Sequence, residues 1–299
     1  MASIKDLKKR IGTVKNTQQI TRAMKMVSAA KLRRAQEGIT NQRPYARRTG
    51  ELVNLMISMP EVIVTSPLVQ LEKNEDAAKK KVLLVLVTSD RGLCGGFNAN
   101  IIKGAMRWFK ANQSKYEKIE FGFVGRRGYD FYKTKKVALG PYYPELGGKV
   151  SYAKAKTLAQ SLVEYFTAGN VDEVHFIFNE FKNAVTQTVI IEQFLPLQPQ
   201  AAQSVKKGAS EDVPMFIVKP SPTEVLDALL QKHFSIQAFR VLLDSQASEH
   251  GARMSAMENA TKNAGEMIKK LTLQYNKQRQ AGITKELLEI ISGSESQKG

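Results

Sequence analysis

The sequence is poor in cysteine and histidine, and this scarcity excludes several kinds of site. Its 299 residues contain one cysteine, Cys94, and three histidines. A single cysteine forms no disulfide within the chain, and a cysteine-rich zinc site is excluded as well. His175, His233 and His250 lie far apart in the sequence and show none of the spacings that zinc ligands take. No Ser-His-Asp or paired-carboxylate motif stands out, so we expect no catalytic residue, no metal and no cofactor.

Long apolar runs are absent as well. No stretch of the chain approaches the roughly 20 apolar residues that a membrane-spanning helix needs. The first residues enter a helical pattern at once, with no apolar signal core or leader before it. We therefore expect a protein without a transmembrane segment that acts in the compartment where it is made.

Proline is missing from both ends of the chain. The first 43 residues contain none and none follows Pro222, whereas ten prolines lie from Pro44 to Pro222. In this middle part, strand-like and helix-like segments alternate, which favours a small sheet with helices on its faces. The sequence thus predicts an N-terminal coiled-coil helix over residues 1–59, a central α/β domain over 60–221 and a C-terminal coiled-coil helix over 222–299.

The N-terminal arm carries a narrow helical stripe. Ser3 and Asp6 have the spacing of a helix-capping pair at its start. Apolar residues then recur in steps of three and four on either side of a polar interruption: Ile4, Leu7, Ile11, Val14, Ile20, Ala23, Met24, Val27 and Ala30. Such a stripe is typical of a seam between two helices. Pro44 is expected to kink or interrupt this helix, which then continues over residues 52–59.

The C-terminal arm shows the stronger periodicity. We predict that Thr223 caps a helix and that a seam begins near Ala247. The seam residues recur with coiled-coil spacing: His250, Met254, Met257, Thr261, Ala264, Ile268, Leu271 and Tyr275. A helix running from Thr223 to Ile291 would be on the order of 100 Å long.

Methionine is frequent in both arms and has two interpretations. Its flexible side chain suits adaptable binding surfaces, and it also fills gaps between packed helices. We predict that Met254, Met257 and Met267 fill the seam. For Met24 and Met26 both interpretations stay open.

The middle of the chain begins with residues 82–87 (VLLVLV), an uninterrupted apolar run that is typical of a buried parallel strand. Further strands are predicted at residues 119–124, 174–178, 186–194 and 215–218, the third and fourth of these five strands forming a hairpin. Helices are predicted at residues 98–111, 125–132 and 151–168. The polar stretch 198–212 is expected to be a mobile loop.

Charge is concentrated on the N-terminal arm. The chain has a formal net charge of +17, which predicts acidic partners such as nucleic acid, anionic lipid or an acidic protein surface. Residues 1–50 contain thirteen lysines and arginines against two acids, a net +11. Pairing within the helix does not neutralise this excess, so an acidic surface around the arm is favoured. No aromatic residue precedes Tyr45, which counts against stacking on single-stranded nucleic acid.

The loop from Thr88 to Asn98 (TSDRGLCGGFN) joins a predicted strand to a predicted helix, where phosphate loops occur. It fits neither the GxGxxG nor the GxxxxGK[ST] signature, so a tight turn is favoured. Cys94 lies within it, but no histidine is near in sequence to activate the thiol. From the residues alone, three functions stay open: a mechanical coiled-coil subunit, a nucleic-acid-binding coiled-coil protein, and a nucleotide-dependent enzyme that uses this loop.

Three segments together resemble the gamma subunit of F-type ATP synthases, in an order that spans nearly the whole chain. They are residues 11–31 (IGTVKNTQQITRAMKMVSAAK), residues 89–98 (SDRGLCGGFN), and residues 248–261 (SEHGARMSAMENAT) with 275–290 (YNKQRQAGITKELLEI). The resemblance implies an antiparallel coiled coil of the two end helices and a Rossmann-like central α/β domain. It also implies a non-catalytic central rotor shaft, which couples rotation of a membrane ring to the beta-subunit nucleotide sites.

The resemblance further implies a set of partners and contact residues. The partners are three alpha and three beta subunits, the epsilon subunit and the proton-driven ring of c subunits, and no nucleic acid. By matching positions, six residues are implied to contact the beta subunit: Met24, Lys25, Arg279, Gln280, Thr284 and Glu286. The beta loop of this family is acidic, and exposed ion pairs worth ~0–1 kcal/mol are weak enough to break as a shaft turns.

One departure bears on the source of the chain. The plant-chloroplast version of the family carries an extra regulatory segment with a cysteine pair, whereas this chain has Cys94 alone. Thiol control is therefore not expected. Without a transit peptide, the resemblance implies a bacterial protein that is peripheral to the cell inner membrane on its cytoplasmic side.

Overall fold

The computed structural model of the chain describes residues 3–59, 62, 64, 66–70, 80–144, 146, 150–183, 186–198, 218–219 and 221–296. The chain divides into two compact units: residues 1–29 with 253–299, and residues 30–252. Two long helices, α1 (Ile4–Ser58) and α5 (Pro222–Ser296), contribute residues to both units. The predicted division into segments 1–59, 60–221 and 222–299 stays a prediction.

Helix α1 begins at the predicted cap. The Asp6 amide donates to Ser3 Oγ at 3.4 Å and the Ser3 amide donates to Asp6 Oδ2 at 3.3 Å, the reciprocal pattern of a capping box. The helix continues through Pro44, so the predicted interruption is wrong. Proline removes one backbone hydrogen bond there. Ile39 and Val53 are buried on either side of it, and this packing holds the helix together.

Helix α5 begins at Pro222, the first residue of the predicted C-terminal segment, but its cap is not the predicted one. The Glu224 amide donates to Ser221 Oγ at 3.3 Å, so Ser221 caps the helix in place of the predicted Thr223. Pro222 takes the first helical position, where its missing N–H is not needed. Within the described ranges, no helix is both apolar enough and long enough to cross a lipid bilayer.

The second unit contains a five-stranded sheet with shorter helices. In chain order its elements are β1 (Lys81–Val87), α2 (Phe97–Asn112), β2 (Lys118–Val124), α3 (Arg126–Tyr132), β3 (Ala138–Tyr143), α4 (Tyr152–Thr167), β4 (Glu173–Phe181) and β5 (Gln187–Leu195). The strand order is β3-β2-β1-β4-β5, in which the first four strands are parallel and β5 is antiparallel to β4. This arrangement is Rossmann-like and confirms the predicted α/β class.

Each face of the sheet has its own hydrophobic core. The even-numbered residues of β1, Val82, Leu84 and Leu86, belong to a core that includes residues of α2 and α3. Leu83, Val85 and Val87 of β1 belong to a second core with α4 and with parts of α1 and α5. Because both faces are covered, every residue from 82 to 86 is fully buried, which explains the uninterrupted apolar run in the sequence.

Two differences from the predicted elements concern the sheet. Strand β3 is missing from the prediction because Pro141 falls within it, and proline is tolerated in a strand at the edge of a sheet. The predicted hairpin is confirmed by the antiparallel pairing of β4 and β5. Except for Val218, which is not in a strand, the predicted strand at 215–218 lies outside the described residues, and so does the predicted loop at 198–212 except for Gln198.

In the first unit, α1 and α5 run antiparallel. Lys25 pairs with Glu258, whereas Ile4 lies near Gly282, so rising numbers on α1 meet falling numbers on α5. The predicted stripe on α5 is confirmed, because every third or fourth residue from 254 to 275 is buried or half-buried. Met267 lies one position off this stripe and is 53% exposed, so its predicted place in the seam is wrong.

The stripe on α1 is correct only in its first half. Five residues of the predicted stripe are exposed, one at its start and four in its second half: Ile4, Ile20, Ala23, Val27 and Ala30. Polar Gln18 and Thr21 occupy the seam instead, since the Thr21 and Thr261 hydroxyls are 2.8 Å apart and Gln18 Nε2 donates to the Thr261 carbonyl at 3.4 Å. In this part of α1 the heptad positions of the seam are therefore occupied by polar side chains, which hydrogen-bond across it.

Candidate partner-contact surface

Met24 and Lys25 are adjacent on α1, and both are half-buried. Lys25 Nζ lies 2.6 Å from Glu258 Oε1 on α5, and the two side chains are 38% and 57% exposed. An ion pair this exposed adds little to stability. Lys25 could therefore exchange Glu258 for a carboxylate of another molecule at little cost.

The exposed face of α1 beside these residues is apolar and basic. Ile20, Met26 and Val27 are 61%, 62% and 56% exposed. Met26 therefore does not fill the seam. Residues 1–29 contain seven lysines and arginines against one acid. Clustered exposed apolar side chains mark contact sites, and the cationic surroundings favour an acidic partner. This face has the chemistry to hold an acidic protein segment.

The other four predicted contact residues lie near the C-terminal end of α5, and all are exposed: Arg279, Gln280, Thr284 and Glu286. The Thr284 hydroxyl donates to the Gln280 carbonyl within the helix at 3.0 Å. These residues flank Gly282, which lies near Ile4, whereas Lys25 lies at the level of Glu258. The structure therefore places the two groups of predicted contact residues on different stretches of the helix pair.

An exposed apolar stripe at the end of α5 was not predicted from the sequence. Five of its residues have exposures between 49% and 68%: Ile283, Leu287, Leu288, Ile290 and Ile291. Because α1 begins at Ile4, near Gly282, the described part of α1 offers them no partner. This stripe could have been predicted from the sequence. When the heptad patterns of α1 and α5 are aligned antiparallel, the C-terminal end of α5 extends beyond the start of α1.

Cys94 and Glu173, two described residues of types that also serve in catalysis, both have hydrogen-bond partners within the chain. Cys94 is 2% exposed, and its Sγ accepts a hydrogen bond from Asn98 Nδ2 at 3.2 Å. Burial opposes ionisation of Glu173, but its hydrogen bonds with His175 and Lys80 outweigh burial and lower its pKa to about 2. Glu173 lies 3.0 Å from Lys80 Nζ and 3.1 Å from His175 Nε2, so it joins two neighbouring side chains. In the part of the chain that the structure describes, no three His, Cys, Asp or Glu residues are grouped as metal ligands.

Comparison with known proteins places the chain in a family. A family profile described as ATP synthase matches residues 3–296. The ATP synthase gamma chain of Geotalea uraniireducens is 50% identical over 299 residues and covers 100% of both chains. The ATP synthase gamma chain of Bdellovibrio bacteriovorus is 46% identical over 303 residues, with the same coverage.

Solved structures agree in fold. A chain of the Euglena gracilis mitochondrial ATP synthase, determined as OSCP/F1/c-ring in rotational state 3, aligns with a TM-score of 0.66 and 19% identity. The alignment covers 98% of this chain and 94% of that chain. A chain of the rotor of the same enzyme, in rotational state 1, aligns with a TM-score of 0.60. The resemblance seen in the three sequence segments is confirmed, and the chain belongs to the ATP synthase gamma chain family.

Proposed function

We propose that the chain is the central rotor shaft of a proton-translocating F-type ATP synthase and is not itself catalytic. Proton flow turns a membrane ring of c subunits, the ring turns the shaft, and the shaft forces the beta-subunit nucleotide sites through their conformations in turn. One observation carries the proposal: a chain of the gamma chain family has a helix pair with exposed apolar and basic surface that the described chain does not cover.

The C-terminal end of α5 has a surface that could turn against its partners. Ile283, Leu287 and Ile290 are all exposed and recur at helical spacing. In the proposal, this stripe lies at the centre of a hexamer of three alpha and three beta subunits. Apolar contact is non-directional, so such a surface is covered at every angle of rotation without fixed bonds that must be broken.

The basic face of α1 supplies contacts that form and break. Lys25, next to Met24, would leave Glu258 for a carboxylate of the acidic beta-subunit loop and return to it as the shaft turns. Arg279, Gln280 and Glu286 would make similar polar contacts with beta from α5. Each exposed pair is worth ~0–1 kcal/mol, which is small enough to exchange during rotation.

The α/β domain is the proposed meeting point with the epsilon subunit and the c ring. The aligned Euglena chain belongs to a structure that includes a c-ring, which supports such an assembly for the relative. The proposal keeps the division into helix 1–59, domain 60–221 and helix 222–299. It locates the protein at the cytoplasmic face of a bacterial inner membrane, as a peripheral protein.

Assembly and coupling test the proposal together. The chain is co-expressed with its alpha, beta and epsilon subunits and the membrane part, and the purified complex is placed in vesicles. We expect one copy of the chain per three alpha and three beta subunits, and ATP-driven proton uptake that is lost when the chain is omitted. Uptake that persists without the chain contradicts the proposal.

A charge reversal tests the proposed contact surface. Lys25→Glu places a carboxylate beside Glu258 and opposite the acidic loop, so ATP synthesis by the complex should fall. Lys103→Glu makes the same change at an exposed lysine on α2 and serves as the matched control. Equal synthesis by the two variants would remove Lys25 from the contact surface.

A further inference from the structure

Helix α5 crosses the sheet at the carboxyl end of the parallel strands. Leu230, Phe234 and Leu242 belong to the core on one face of the sheet, whereas Ala252 belongs to the core on the other face. The crossing passes β1 and β4, the strands between which the order of the sheet reverses. In open doubly wound sheets, this crevice is the place where ligands bind.

Two serines join α5 to the sheet in this crevice. The Ser248 side chain is fully buried, and its hydroxyl donates to the carbonyl of Asn179 near the end of β4 at 2.9 Å. The Ser245 hydroxyl lies 3.5 Å from the carbonyl of Val87, the last residue of β1. Asn179 Nδ2 in turn donates to the carbonyl of Phe97 at the start of α2, at 3.2 Å. Strands β1 and β4 and helices α2 and α5 are thus linked at one point.

Several backbone amides at this edge already have partners within the chain. Four of them donate within 3.1 Å: Ser89 to Asn98 Oδ1, Arg126 to Asp90 Oδ1, Arg127 to the Ser89 carbonyl, and Gly128 to Thr88 Oγ1. Gly125 has a φ of +84°, and a Cβ there would lie 2.1 Å from the Thr88 carbonyl oxygen. Only glycine allows β2 to end so close to β1. These four amides are therefore committed within the chain and are not free to hold a phosphate.

We propose that this crevice is the seat of α5, and that Ser248 is a positioning residue that fixes the rotational setting of α5 on the sheet. The inference rests on the proposed function, because a shaft helix passes torque to its domain only if it does not turn within its seat. Apolar contacts are non-directional. A hydrogen bond from a buried hydroxyl is directional and costly to leave unmade, so it resists such turning.

The test compares two buried serines of the same helix. Ser248→Ala removes the bond to the sheet. Ser235→Ala is the matched control, because Ser235 is 4% exposed and its hydroxyl donates at 2.9 Å to the Gln231 carbonyl of its own helix. ATP hydrolysis and ATP-driven proton uptake are measured on the same vesicles that hold the whole complex. We expect Ser248→Ala to lower the number of protons taken up per ATP, and Ser235→Ala to leave this ratio at the parent value.

Hydrogen exchange of the assembled complex gives a readout that does not depend on activity. The amides of residues 245–252 should exchange about five-fold faster in Ser248→Ala than in the parent, as expected when one hydrogen bond is lost. Their exchange should be unchanged in Ser235→Ala. Ser248→Val, which fills the site without a hydroxyl, should speed exchange as well.

Three results would overturn the inference. The first is equal exchange and equal coupling in Ser248→Ala and Ser235→Ala. The second is a fall of hydrolysis and uptake in the same proportion, which indicates lost stability alone. The third is ATP or phosphate bound by the full-length chain at the carboxyl edge of the sheet. Failure of the proposed function is distinguishable, because then the parent complex itself shows no chain-dependent proton uptake, while the exchange experiment still decides on the seat.

Discussion

Helix α5 contains two apolar stretches with opposite surroundings. In the second unit, Leu226, Leu230 and Phe234 are at most 1% exposed, whereas near the C-terminal end Leu288 and Ile290 are 59% and 68% exposed. Both stretches follow helical spacing, so periodicity does not distinguish them. The first has the sheet, α4 and part of α1 around it, and the second has no facing element in the described chain. The buried stretch therefore holds the chain's own fold together, and the exposed stretch is left for a partner.

The largest change in the free energy of unfolding is expected when one residue of the buried stretch is substituted, and one residue of the exposed stretch serves for comparison. Phe234 packs edge-on against Phe194 in the core, with ring centroids 5.3 Å apart. Phe234→Ala should lower the free energy of unfolding by about 3–5 kcal/mol, through lost burial and a cavity. Leu288→Ala should change it by no more than about 0.5 kcal/mol. Urea unfolding of the full-length chain measures both, and similar losses would mean that Leu288 is covered by the chain itself.

A substitution that stabilises the fold, by less than Phe234→Ala destabilises it, is expected at Asp244 in the buried stretch. Burial raises the pKa of Asp244 to about 6, with Glu180 and Glu192 acting in the same direction and Arg240 and Arg43 against it. Because the folded pKa lies above the unfolded one, the free energy of unfolding falls as the pH rises from about 4 to about 6, and it stays lowered above that window.

Asp244→Asn removes this cost. The variant should be more stable than the parent by on the order of 2–3 kcal/mol at about pH 8, with the gain vanishing toward about pH 4. Thermal or urea unfolding across this range measures the gain. A gain that does not depend on pH would show that ionisation of Asp244 is not its cause.

Substitutions in the seam of the first unit should lower the free energy of unfolding by less, and their effects should not add up. Thr21→Val or Thr261→Val alone removes one hydroxyl from a pair in contact at 2.8 Å and should cost about 1 kcal/mol. The double variant replaces both hydroxyls with methyl groups of similar size, so its cost should be less than the sum of the two. A double-mutant cycle in urea measures the coupling, and strict additivity would argue that the two hydroxyls do not act as a pair.

The smallest effect on stability is expected at the surface ion pair. Lys25→Ala should change the free energy of unfolding of the isolated chain by no more than ~1 kcal/mol, because the pair with Glu258 is well exposed. Its effect on ATP synthesis by the assembled complex should be the larger one. A loss of stability as large as that of Phe234→Ala would make Lys25 a structural residue.

The sequence predicts the sheet better than the helix seam. Buried strand β1 is visible as an apolar run, and the α5 seam is visible because its apolar and small residues keep one heptad phase. On α1 some of the heptad positions that face the seam are polar residues, Gln18 and Thr21 among them. Apolar periodicity therefore selected Ile20 and Val27, which are exposed. Polar pairs across a seam cannot be recognised until both helices are aligned.

The contact surface and the seat of α5 were predictable to different degrees. Lys25 and Arg279 came from family resemblance, and their contact with beta stays a prediction. The exposed stripe beginning at Ile283 follows from the lengths of the two helices. The bond of Ser248 to Asn179 joins residues 69 positions apart. No local pattern in the sequence announces such a contact.

Rotation of the chain inside the complex is the most direct test of the account. Cys94→Ala removes the buried native thiol, and Lys103→Cys provides an exposed attachment point on α2. A bead is bound there while the alpha and beta subunits are fixed to glass, and ATP is added. We expect the bead to turn in one direction at a rate that follows ATP hydrolysis. A bead that stays still while the complex hydrolyses ATP would contradict the assignment of this chain as a rotor shaft.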